Sequence, residues 1–156
     1  MANDERLWAL VHGACGAVAY GTMDWVGVNG DWRARVPVAA DNFDPTELAL
    51  EMVVRPGFRA AAPSVVLLFR DEAVRRVDIN GGHREPGGKP RVQTHMQGAP
   101  PPGFFRWLGT SEFPQLQADA SVSGEDYYRV FTAAAAVVEV NVQGVDWTDP
   151  PEGSPR

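Results

Sequence analysis

The chain has 156 residues, 44% of them hydrophobic and 22% charged, and carries a net charge of −6. That length suits one domain, with a core that hides roughly 70% of the unfolded surface, and the single cysteine, Cys15, excludes an internal disulfide and a cysteine-based zinc site. No apolar run reaches the ~18 residues of a membrane span, and the start Asp4-Glu5-Arg6 lacks the pattern of a secretory signal, so a cytoplasmic location with no membrane partner is expected.

Asp4 is placed to cap a short helix over 5–11, which Gly13 ends, with His12 as its C-terminal cap. Asn29-Gly30 between residues 25–28 and 31–36 is a hairpin signal, since both residues accept positive φ. It puts Trp32, Ala34 and Val36 on one face and Arg33 and Arg35 on the other, and Pro37 suggests an edge strand or the end of one. Residues 47–55 alternate as a strand, with Leu48, Leu50, Met52 and Val54 inward. The unbroken apolar run 64–70 reads as a buried strand. Residues 74–79 form a further strand, 81–91 a glycine-rich loop, and 91–97 a returning strand. Pro100-Pro101-Pro102-Gly103 is a rigid connector, followed by an apolar stretch over 104–108 that belongs to the core. Ser121 or Ser123 caps the clearest helix, in which Tyr127, Val130, Phe131, Ala134 and Val138 share one face. The fold expected is α+β: an antiparallel twisted sheet of about five to seven strands, with the C-terminal amphipathic helix packed on one face. One globular domain covers 1–147, and the Pro-, Gly- and Ser-rich segment 148–156 is a disordered tail.

Charge is distributed unevenly. Residues 1–54 carry net −5, residues 55–106 net +5 and residues 107–156 net −6. The basic middle holds Arg55, Arg59, Arg70, Arg75, Arg76, Arg84, Lys89, Arg91 and Arg106, together with His83 and His95. These arginines either pair with the acidic flanks on folding or form a surface for an anionic partner, and a nucleic acid would bind through this 55–106 segment.

Arg76 and Asp78 share a strand face, and His83, Arg84 and Glu85 stand in the glycine-flanked loop beyond. If 74–79 and 91–97 pair, His95 approaches the same edge. Two histidines and an arginine suit metal-independent phosphodiester cleavage: one imidazole accepts the 2′-hydroxyl proton, an imidazolium protonates the leaving oxygen, and arginine stabilises the phosphate. His83, His95, Arg76 and Arg84 are the catalytic candidates on that reading. Asp78, Glu85, Lys89, Arg91 and Trp107 are binding candidates. The histidines with Asp78 or Glu85 would also serve as metal ligands, but no metal and no cofactor is assigned. Walker A, dinucleotide-binding, HExxH and GxSxG motifs are absent from the sequence.

Arg76, Asp78, Gly81, His83, Pro86, Gly88 and His95 follow the order R-x-D-x-x-G-x-H, P-x-G, H. In this the stretch 47–142 resembles a group of small uncharacterised prokaryotic proteins. The resemblance implies a prokaryotic source and a mobile-element or defence context. That group carries H-x-H at the second site, where this chain has His95-Met96-Gln97. The function expected first is a module that binds a protein partner, on the strength of five tryptophans, the proline-rich 99–103 segment and the acidic flanks. A ribonuclease-like enzyme is the alternative.

Overall fold

The computed structural model describes residues 4–84, 90–109, 113–117 and 121–156, and of 83, 84 and 90–92 the backbone alone. Helix α1 (Glu5–Val11) begins where the Asp4 carboxylate accepts the Arg6 N–H. It ends at His12, whose Nδ1 lies 2.7 Å from the Trp8 carbonyl, and Gly13 follows with φ of 75°. Strands β1 (Val18–Thr22), β2 (Val26–Val28), β3 (Asp31–Ala39), β4 (Leu48–Val54), β5 (Ser64–Phe69), β6 (Glu72–Arg84), β7 (Pro90–Gly98) and β8 (Phe104–Trp107) come next. Helix α2 (Gly124–Val137) and strand β9 (Asn141–Asp146) close the order.

The nine strands form one sheet in the order β8-β7-β6-β5-β4-β3-β1-β9, with β2 also on β3. Every pairing is antiparallel except β1 with β9. The strand count exceeds the expected five to seven, because three strands carry weak signals. In β1 only Ala19 is buried, β9 alternates between exposed and half-buried, and β8 is a four-residue edge strand rather than pure core. Strand β6 also runs through Gly81 and Gly82 to Arg84, where the sequence suggested a loop. A register shift between Asp78 and Gly81 absorbs Asn80 at φ 52°, so the glycines continue the ladder instead of turning it. Pro37 does not end β3. It pairs with Ala49 on one side, while on the other β2 pairs residues 31–33 and β1 pairs 38–39, leaving its missing N–H opposite neither strand.

Both helices share one core with one face of the sheet. Leu7 and Leu10 of α1 and Val130, Phe131 and Ala134 of α2 join Val36, Leu50, Met52, Val65, Leu67, Val77 and Met96. Ser123 and Asp126 form a capping box at the start of α2. Val53, Val66 and Leu68 are buried too, yet lie outside that core. They belong to the opposite face, which carries Arg33 and Arg35 of β3 and Arg76 of β6. Residues 148–156, marked by composition as a disordered tail, contain no helix or strand but run against the body: Trp25 Nε1 donates to the Thr148 carbonyl and Trp32 Nε1 to that of Gly153, each at 2.9 Å.

Candidate functional site

Strand register builds the site. On the face away from the helices, Arg33, Val53, Ser64, Asp78, His95 and Trp107 line up across β3, β4, β5, β6, β7 and β8. The neighbouring row is Arg35, Glu51, Val66, Arg76, Gln97 and Phe105. Side chains directly opposite stand about 5 Å apart, so strands distant in sequence bring their polar groups together.

Asp78 is the hub. Its Oδ1 accepts Ser64 Oγ at 2.6 Å and Arg76 Nε at 2.8 Å. Its Oδ2 accepts Gln97 Nε2 at 3.2 Å and lies 3.4 Å from His95 Nε2. Burial alone would raise the Asp78 pKa, but the hydrogen bonds from His95 and Ser64 and the Arg76 charge hold it far below the ordinary carboxylate range. Burial likewise opposes charge on His95, and the bond to Asp78 and the Gln93 carbonyl outweigh it, so its pKa is raised. His95 Nδ1 lies 3.2 Å from that carbonyl, an oxygen that can only accept. Both ring nitrogens thus face acceptors, an arrangement that favours the imidazolium. It stacks on Phe105 at 5.2 Å between centroids and meets the edge of Trp107 at 5.6 Å.

This geometry constrains the chemistry. The carboxylate stands between serine and histidine, so Ser64 gives its proton to Asp78 rather than to an imidazole. That is not the order that activates a nucleophile. His95 is 1% exposed and lies against Asp78, so in this arrangement it orients the carboxylate.

Beside this hub opens a cleft of about 390 Å³ lined by Arg55, Arg59, Ala62, Ser64 and the β6 segment 78–82. Arg55 Nη1 donates to the Ala62 carbonyl and to Ser64 Oγ. Asn80 Nδ2 pins the β6 bulge to the carbonyls of Ala61 and Leu116. Gly81 is required here, since a Cβ would stand 2.8 Å from both the Asp78 Cβ and His95 Cε1. Burial lowers the Arg55 pKa, and the nearby charges of Arg59 and Arg76 lower it further.

Of the residues singled out from sequence, Arg76, Asp78, His95 and Trp107 come together. The register opposes His83 to Arg91, four residues along β7 from the Asp78–His95 pair or roughly 13 Å at strand rise, and Arg84 to Pro90, one residue further. The two histidines therefore do not face one another across the strands. Glu85 and Lys89 lie outside the described residues. Gln97, which stands where the resembling group has its further histidine, hydrogen-bonds Asp78. Sequence reading missed Ser64 and named Arg55 and Arg59 only as members of the basic segment; Ser64 was hidden in an apolar run, though its even spacing from Val66 and Leu68 put it on their face. Other arginines of the basic segment are otherwise engaged: Arg70 binds Glu47, and buried Arg75 donates to the carbonyls of Val74 and Pro100.

Among the described residues no three His, Cys, Asp or Glu side chains gather as metal ligands would, and no helix is long and apolar enough to cross a membrane. Comparison with protein-family models, with curated proteins and with solved structures gave no match.

Proposed function

We propose that this chain is a binding module that engages an acidic segment of a protein partner on the arginine-bearing face of its sheet. The observation that carries this reading is the concentration of Arg33, Arg35, Arg55, Arg59 and Arg76 on that face, against Glu51, Asp71 and Asp78, in a chain whose net charge is −6. Glu51, Asp71 and Asp78 offset the arginines they hold, while Arg55 and Arg59 have no ion pair among the described residues and keep the face positive. A positive face on a negative protein orients an acidic partner and discourages others. The ribonuclease alternative has less support: it needs two histidines at one phosphate, and His95 is bound to Asp78 while His83 lies four ladder positions away.

A fluorescein-labelled glutamate-rich peptide tests the reading by anisotropy. Binding should weaken as salt rises and fall sharply in Arg35→Glu and Arg59→Glu. Equal binding of a lysine-rich peptide, or none at low salt, would refute it.

A further inference from the structure

The geometry points to the Arg55–Arg59 cleft as a site for a phosphate monoester carried by the partner's acidic segment. The inference rests on the partner-binding reading for what bears the phosphate, and on the cleft itself for the phosphate.

Two guanidinium groups meet there, neither of them bonded to a carboxylate among the described residues. Arg55 uses only Nη1, on a carbonyl and a hydroxyl, which leaves its Nε and Nη2 without an acceptor among the described residues. Arg59 is exposed and makes no ion pair or side-chain hydrogen bond among them. Arg76 stands behind, its Nη2 3.4 Å from Ser64 Oγ. Asp78, the one carboxylate lining the cleft, has both oxygens occupied and cannot neutralise two more arginines. The charges of Arg59 and Arg76 act against that of Arg55, and Asp31 and Asp78 offset them only through space, with no hydrogen bond to Arg55 among the described residues. A phosphate monoester brings close to two negative charges and three acceptor oxygens, which matches two guanidinium forks in charge and in planar geometry. A carboxylate brings half the charge. Gly82 offers no side chain on the cleft floor, and a Cβ there would meet nothing within 4 Å, so a ligand has room to approach the backbone.

The experiment is isothermal titration calorimetry at fixed ionic strength. The probes are a phosphoserine peptide, the same peptide with glutamate in place of phosphoserine, inorganic phosphate, acetate, and a single-stranded RNA without terminal phosphate. The phosphoserine peptide should bind tightest, inorganic phosphate detectably and acetate not at all. Arg59→Glu should weaken the phosphoserine peptide by about tenfold or more, while Arg129→Gln on α2, whose guanidinium is held by Asp126 and does not line the cleft, leaves it unchanged. Thermal unfolding of Arg59→Glu, an exposed position, confirms that the variant is folded. Binding of the glutamate peptide as tightly as the phosphoserine peptide would overturn the phosphate site and leave the partner reading standing. Inorganic phosphate binding as tightly as the phosphopeptide would overturn the partner-borne assignment. Tightest binding by RNA, or no effect of Arg59→Glu, would overturn the inference altogether.

Discussion

Replacing Asp78 by alanine tests the hub on which the whole face is built. The change strips Ser64, Arg76, Gln97 and His95 of a shared acceptor. Breaking one side of a buried ion pair costs about 3–5 kcal/mol, mainly through the charge left behind. Arg76 is 38% exposed at its side chain and can turn to water, whereas His95, at 2%, cannot. His95 can shed its proton instead, so the lower end applies: about 3 kcal/mol, or about 6–12 °C in melting temperature for a chain of this size. Urea unfolding at pH 6 measures it, and a loss below about 1 kcal/mol would refute the hub. The pH dependence has a definite sign. The folded pKa of His95 is raised, so its contribution is whole below about pH 6.5 and fades as pH climbs through the folded value. That of Asp78 is depressed, so its contribution is present above about pH 3.9 and fades as pH falls toward the folded value. Stability should therefore decline on the alkaline side of about pH 6.5, and His95→Gln should remove that decline.

Glu47 ties α1 to the β4–β5 end of the sheet, accepting Arg6, Arg70 and the Asp44 N–H; the Arg6 bond first of all lowers its pKa to about 2. Its contribution is present above the ordinary glutamate value and lost as pH falls through about 2, so Glu47→Gln should flatten the acid limb of the stability curve. Gly81→Ala should destabilise by about 1–3 kcal/mol through overpacking on Asp78 and His95, and chemical denaturation would show it; a neutral result would mean the bulge yields freely. Gly124→Ala puts a methyl group into the Asp149 carboxylate, which Trp147 Nε1 holds at 2.8 Å. Hydrogen exchange should then quicken over 148–153 while the melting temperature holds, because alanine favours the helix.

How much of this was written locally differs from element to element. Asn29-Gly30 named its turn outright, with φ of 52° and 84°, and of the two serines offered as the cap of α2 the structure uses Ser123. Alternation over 92–97 sorted Thr94 and Met96 from His95 and Gln97, and Met96 joins the core while His95 and Gln97 meet Asp78 on the other face. The parallel β1–β9 pair was not legible, since Val-Ala-Tyr-Gly-Thr and Asn-Val-Gln-Gly-Val-Asp bury little and their partnership spans nearly the whole chain. The site was half legible. Arg76 and Asp78 lie two residues apart and His95 returns beside them, so one hairpin suffices to join them. Arg55, Arg59 and Ser64 join only through the β4–β5–β6 register, which no local spacing encodes. His83 looked equivalent to His95 in sequence, and the register separates them.

The most direct test of the anionic-partner reading is an NMR titration that follows the arginine side-chain N–H signals as the phosphoserine peptide is added. The account predicts saturable shifts at Arg55, Arg59 and Arg76, with Arg6, held by Asp4 and Glu47, and Arg129 unmoved. Shifts spread evenly over all arginines, or confined to those outside the cleft, would contradict it.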